Sequence, residues 1–203
     1  IVKKDIISSI KYLKTKKLYC LMVHNTNVLK NKKKLNIVCE IFERLKKEKI
    51  ILNKGISVYD VKDFKHLYKS FDPDIIQIPL NIFDQRFIRN KWIQRFLKDK
   101  KEVHLRSIFL QGLLLENKVP KKFSKFKFEF KTWFSWLKKN KFSNFDACLN
   151  FVLNQKINFK LVVGVDNFKH FKQIINFNGL KKNLDFENFA SNKKKLIDPR
   201  TWN

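Results

Sequence analysis

Five short apolar runs, each closing on a small or polar residue and each followed by a helix-compatible stretch, constrain this chain more than any other feature. They are LYCLMV (18–23), the run ending in GIS (about 53–57), DIIQI (74–78), EVHLR (102–106) and LVVG (161–164). Their terminal polar or small residues are His24, Ser57, Gln77, Arg106 and Gly164, so the spacings are 33, 20, 29 and 58 residues. The first three spacings each fit one β-α unit, and the fourth needs an insertion, which 113–141 supplies. The runs around Ser57 and Gln77 are rich in Ile and Val, as strands covered on both faces are. Strands alternating with helices predict an α/β fold with a parallel sheet. A closed (β/α)8 TIM barrel has eight such units, so about five parallel strands with flanking helices read as the later part of one, an incomplete barrel.

Between the runs, apolar residues recur at helical spacing over 3–14, 34–49, 61–69, 87–97, 145–153 and 168–175. Pro79 cannot donate a ladder hydrogen bond, so the third strand is expected to stop there. The stretch 113–141 reads as irregular, with Lys alternating with Phe before an aromatic helix. The Asn/Lys-rich tail, 181–203, is expected to cover an end of the domain or to fray. The expected organisation is therefore a domain over 1–180 and a tail over 181–203.

The 203 residues and 44% apolar content, with 21 Phe, suffice for one packed domain. The first residue is Ile1 rather than Met, which suggests a processed product or a fragment. The formal charge of +27 would suit a polyanion partner. It comes, however, from 39 Lys against 6 Arg spread along the whole chain. Nucleic-acid sites favour clustered Arg for bidentate contacts, so the lysines read as a solvated surface. A nucleic-acid partner is not expected. Cys20, Cys39 and Cys148 lack CxxC pairing and sit in apolar or helical runs, as buried thiols in a reducing compartment do. No run reaches the roughly 18 apolar residues that span a bilayer. The expectation is a cytoplasmic protein with no membrane partner, no metal and an unassigned oligomeric state.

The strand ends carry the candidate chemistry. His24, where a strand meets a polar loop, is the best general acid/base, although a structural histidine is the plainer reading. Ser57 and Gln77 offer a hydroxyl and an amide at one level of the sheet, suited to an amide or sugar; capping the next helix would explain Ser57 as well. Arg106 and Ser107 end another strand ahead of Gly112, where backbone can approach a ligand closely. Gly164, followed by a helix start near Asn167, could seat a phosphate or simply form a tight turn.

In order and spacing, His24 after LYCLMV, then GISVYD (55–60), DIIQIPLNIFDQR (74–86), RSIFLQGLLL (106–115) and VVGVDN (162–167) resemble the aldo/keto reductases. The likeness is to bacterial members and runs from about residue 5 to 176. It implies a (β/α)8 barrel that uses NADP(H), without a Rossmann fingerprint, to reduce aldehydes and ketones, with a small carbonyl substrate as partner. It implies that the His24 imidazole orients and polarises the carbonyl. Ser57 and Gln77 match positions that bind the nicotinamide carboxamide, with Val58 where Asn is common. Arg106 stands where many members stack a Tyr on the nicotinamide. Ser107, Phe109, Gln111 and Gly112 match the loop along the pyrophosphate. Gly164, Val165 and His170 match the segment around the adenosine 2′-phosphate, with His170 where many members carry Arg.

The family's tetrad is Asp, Tyr, Lys and His, and the resemblance places the first three on strands before the histidine strand. On that reading the chain lacks them, Tyr12 and Tyr19 are no substitutes, and 1–203 is the carboxyl-terminal two-thirds of a reductase. Losing general-acid help costs about 10²–10⁴-fold. An open sheet edge at the His24 strand would leave the piece marginal, aggregation-prone or dimeric. Two other readings are a nucleotide-binding module without catalysis, and a Lys-rich nucleic-acid binder that stacks bases on 121–141.

Overall fold

The apolar runs become five parallel strands whose hydrogen-bonded order follows the chain, β1-β2-β3-β4-β5. The structure, a computed structural model, describes residues 2–181 and 184–202. Ile1 and, from the expected tail, Lys182, Asn183 and Asn203 lie outside the described residues. The strands are β1 (Leu18–Val23), β2 (Ile51–Ser57), β3 (Ile75–Pro79), β4 (Glu102–Arg106) and β5 (Lys160–Leu161). The helices of three turns or so are α1 (Val2–Tyr12), α2 (Lys32–Lys47), α3 (Val61–Ser70), α4 (Lys91–Lys98), α5 (Lys127–Asn140), α6 (Asn144–Leu153) and α7 (Phe168–Ile175), with a last turn α8 (Lys194–Ile197). The chain divides into two units, Ile1–Ile78 with Phe96–His104, and Pro79–Arg95 with Leu105–Asn203.

In the first unit, Val23 of β1 pairs with Ile56 of β2, and Ser57 of β2 pairs with Gln77 of β3. Helices α2 and α3 start where their sequence places a side-chain cap. Asn31 accepts from Lys34 N at 3.1 Å and Asp60 from Lys62 N at 2.7 Å, each satisfying an otherwise orphaned amide. Phe42, Leu45, Phe64, Leu67 and Phe71 are buried with Ile51, Ile56, Ile75 and Ile76. Phe42 meets Phe71 edge-on at 5.4 Å, and Phe64 meets Phe96 at 5.6 Å. Such pairs add about 0.5–1.5 kcal/mol beyond their buried area. The buried Lys54 ammonium is held by Glu43 Oε1 at 2.6 Å and lies over the Phe71 ring.

β1 is only half-buried, in keeping with the open edge expected at the His24 strand: none of its side chains is fully buried, and Tyr19 is 49% exposed. The reason is its place at the end of the strand order, with a neighbour on one side only. Its cysteine is likewise half-buried, as is Cys39, so only Cys148 is a fully buried thiol. Burial first, then the carboxylates of Asp74 and Glu102, push the Cys20 thiol up to about 11. Burial also raises the Cys39 thiol, with Lys54 opposing the shift. At about pH 8 alkylation should therefore modify Cys39 first, Cys20 more slowly and Cys148 only on unfolding, since the thiolate is the nucleophile. Mass spectrometry of iodoacetamide-treated protein reads the order, and labelling of Cys148 ahead of the others would contradict it.

In the second unit the stretch expected to be irregular is helical. A 3-10 segment (Lys121–Phe126) leads directly into α5. The Lys/Phe alternation places Phe123 and Phe126 inward, and Phe130, Trp133 and Leu137 continue the buried stripe at helical spacing, with Phe128 the exposed exception. The tail packs rather than frays: Phe186, Phe189, Leu196 and Ile197 are buried, Phe189 meets Trp133 at 5.5 Å, and Trp202 meets Phe123 at 4.9 Å. β5 is two residues long instead of four, although Val162 N still donates to Leu105 O at 2.8 Å. Helix α4 starts at Lys91 rather than 87, because Phe87 is buried in the preceding turn and Asn90 accepts from Trp92 N.

Candidate active site

Three of the residues singled out by sequence meet at the carboxyl ends of the first unit's strands. Ser57 and Gln77 are register partners on parallel strands, so their side chains leave the same face. Val23 pairs with Ile56, which brings His24, the next residue, to the level of Ser57. His24 is exposed and Gln77 is half-buried. Ser57 is only 2% exposed, and its Oγ has no hydrogen-bonding partner. It does not cap the following helix; Asp60 does. A buried hydroxyl that bonds nothing costs about 1–3 kcal/mol.

Gly55 lies two residues back on the same face. A Cβ there would come within 2.8 Å of Cys20 Sγ, 3.1 Å of Met22 Cε and 3.3 Å of the Ile75 carbonyl, so any larger residue would displace the β1 side chains and crowd β3. Val58 is fully buried, and its N–H donates to Gln77 O at 3.0 Å.

In the second unit, Arg106 ends β4 half-buried, with Nη1 donating to Ser107 Oγ at 3.1 Å. The backbone then turns left-handed at Ser107 (φ 61°), Leu110 (φ 48°), Gln111 (φ 55°) and Gly112 (φ 82°). Three of the four are not glycine, and each such residue costs about 1–2 kcal/mol. Leu110 N closes the turn on Ser107 O at 2.9 Å, Phe109 stacks on Phe145 at 5.5 Å, and Gln111 is exposed. Gly164 is exposed, has no left-handed φ, and a Cβ there would meet nothing within 4 Å. Neither the backbone conformation nor the surrounding space requires glycine there. Val165 is exposed beside it. Asn167 caps α7 by accepting from His170 N at 3.0 Å, and His170 Nδ1 lies 3.7 Å from Asp166 Oδ2. None of the side chains of α7 is buried.

Sequence reasoning gave no role to the polar residues that follow Gln77 in QIPLNIFDQR. Asn81, Asp84 and Gln85 are all buried. Asp84 receives Arg86 Nε and Nη2 at 2.8 Å each, and Gln85 Nε2 donates to Ile82 O and Phe186 O. Burial raises the Asp84 carboxyl above its ordinary value, a shift that the Arg86 bonds offset only in part. The available signal was four amide or charged side chains within six residues of an apolar strand exit. Among the described residues no group of three His, Cys, Asp or Glu could hold a metal ion, and no helix is long and apolar enough to cross a membrane.

The aldo/keto reductase family model matches residues 2–197. The chain belongs to the aldo/keto reductase family. No curated protein matches it significantly. Among solved structures it is similar to aldo-keto reductase AKR11C1 from Bacillus halodurans at 19% identity and a TM-score of 0.70, covering 89% of this chain and 64% of that one. It is similar to the glycerol dehydrogenase AKR11B4 from Gluconobacter oxydans at 17% identity and a TM-score of 0.67, covering 90% and 60%. A Gox0644 mutant solved in complex with NADPH matches at 14% identity and a TM-score of 0.62, covering 93% and 65%. This chain thus spans less than two-thirds of the length of each. At such identities the likeness shows the fold, a (β/α)8 barrel of which five parallel strands with flanking helices are present here.

Proposed function

We propose that this chain is the cofactor-binding portion of an NADP(H)-dependent carbonyl reductase acting on an aldehyde or ketone. The observation that carries the reading is the Ser57 Oγ: buried, unpartnered and in register with Gln77 at the strand mouth. A carboxamide offers an acceptor and two donors, which a hydroxyl and a glutamine amide side by side can answer. That donor set fits a nicotinamide, and NADPH bound there would supply the hydride for a carbonyl carbon. His24, exposed at the same level, is assigned to orient the carbonyl by hydrogen bonding to its oxygen. Arg106, whose planar guanidinium can stack, is assigned to the nicotinamide ring.

In the second unit, considered by itself, the resemblance assigns phosphate contacts. The segment from Ser107 through Phe109 and Gln111 to Gly112, left-handed at Ser107, Leu110, Gln111 and Gly112, is assigned to the pyrophosphate, whose oxygens accept from the backbone N–H groups of a turn. Gly164 and Val165, ahead of the α7 amino terminus, and His170 are assigned to the adenosine 2′-phosphate. The substrate is a small carbonyl compound and the setting cytoplasmic.

The test is a titration of tryptophan fluorescence with NADPH. The wild type should quench saturably, and Ser57→Ala should bind about tenfold more weakly, the factor for one lost hydrogen bond. The same variant should be as stable as the wild type or up to about 1 kcal/mol more stable, because the free hydroxyl bonds nothing. Equal affinities, or a clear loss of stability, would remove Ser57 from the site. A wild type that fails to quench would end the reading altogether.

A further inference from the structure

Asn81 joins two loops in a way that needs a carboxamide. It is fully buried, on the segment that leaves β3. Its Oδ1 accepts from Phe83 N at 3.1 Å and from Asp84 N at 2.9 Å, which fixes the amide's orientation. Its Nδ2 therefore faces the other way and donates to the Ser107 carbonyl at 3.1 Å. The neighbouring Leu80 N donates to the Arg106 carbonyl at 3.0 Å. Two consecutive residues of one loop thus hold two consecutive residues of the other. Ser107 is the first left-handed residue of the 107–112 run, and its carbonyl also closes the turn with Leu110.

A non-glycine residue persists in that conformation only where its surroundings over-determine it. The Asn81 amide restrains the Ser107 carbonyl, while Arg106 Nη1 holds the Ser107 hydroxyl. No other side chain of this length presents an acceptor on one edge and a donor on the other: Asp lacks the donor, and Leu, a similar shape, lacks both.

We infer that Asn81 is a positioning residue, which locks the Ser107 carbonyl inward so that the 107–112 backbone is preformed to take the phosphates of a nucleotide. The loop's assignment to phosphates rests on the proposed function; the locking of the loop does not. Hydrogen exchange and cofactor binding separate the two. In Asn81→Ala the Leu110 amide should exchange at least tenfold faster than in the wild type, relative to amides of α6, with or without nucleotide. Unchanged exchange at Leu110 would overturn the inference. NADP⁺ affinity, read by tryptophan fluorescence, should fall about tenfold in the same variant; equal affinity in the presence of faster exchange would detach the loop from the phosphates and overturn that part.

Asn81→Asp supplies a readout that simple loss of packing would not move, and it serves if the alanine variant does not fold. Its carboxylate faces the Ser107 carbonyl, and burial, that carbonyl and the Asp84 carboxylate favour its protonated form while the Phe83 and Asp84 N–H groups and Arg86 favour the charged one, so it becomes a donor only once protonated. Its NADP⁺ affinity relative to wild type should therefore recover as the pH falls from about 8 to about 5. A ratio that stays flat across that range would contradict the lock. If the wild type binds no NADP⁺ while Asn81→Ala still frees Leu110, the cofactor reading fails and the lock stands.

Discussion

Arg86→Met is expected to lower the unfolding free energy by about 3–5 kcal/mol at neutral pH and by much less near pH 5. Asp84 is 0% exposed and receives two guanidinium bonds from Arg86, whose own side chain is only 16% exposed. Removing the cation leaves a buried carboxylate with no compensating charge, and Asp198 adds a repulsive one. The carboxyl responds by protonating at a higher pH. A group whose folded pKa lies above its unfolded value favours the native state in acid and loses that contribution as the pH rises through the folded value. Removing Arg86 widens this shift, so the penalty is greatest above the new folded pKa and shrinks below it. Urea unfolding at pH 7 and pH 5 reads the difference directly. Adding Asp84→Asn should restore most of the loss at pH 7, since the amide carries no charge to desolvate. A single variant within about 1 kcal/mol of the wild type at both pH values would show that the pair is not needed.

The Asp198–Arg200 pair repeats the same two-residue spacing and the same bidentate contact, with the opposite titration. Burial pushes the Asp198 carboxyl up, but the Arg200 bonds outweigh it and hold the group below its ordinary value. Its contribution is present above the ordinary carboxylate value and is lost as the pH falls through the folded one. The two aspartates differ because Asp84 is more deeply enclosed, while Arg200 is largely solvated and keeps water near its partner.

What could be read from the sequence followed from local rules. β1 and β4 begin and end where the apolar runs do, and Pro79 ends β3, because these limits depend on the residues themselves. The Ser57–Gln77 register was legible as two strand ends at one level. What depended on neighbours was not. The half-exposed state of β1 reflects its place at the end of the strand order, which the family resemblance implied but its own six residues do not encode. Asn81 acts on a carbonyl 26 residues away, so its role is invisible along the chain. In 121–137 a period-two pattern of Lys and Phe concealed a 3-10 segment feeding a helix, whose buried rings fall three, four and seven residues apart. The rings first weighed as a stacking surface for bases are, Phe128 apart, largely packing groups.

That last point yields a second large effect. Trp133→Ala should cost about 3–5 kcal/mol, the range for emptying a buried aromatic site. Trp133 is 0% exposed, stacks on Trp136 at 5.8 Å and meets Phe189 edge-on, so its removal opens a void against both α5 and the carboxyl-terminal segment. Phe128, on the same helix but 78% exposed, should cost no more than about 0.5 kcal/mol when changed to Ala. The contrast tests whether α5 belongs to the core of its unit or lies over it as a removable layer. A core helix makes unfolding of the unit impossible without exposing Trp133, so the Trp133→Ala loss should appear in the main cooperative transition. Tryptophan fluorescence and circular dichroism, followed together in urea, measure that directly. If Trp133→Ala unfolds α5 in a separate early step and leaves the main transition where it was, α5 is an appended layer and the aromatic cluster holds only that layer in place.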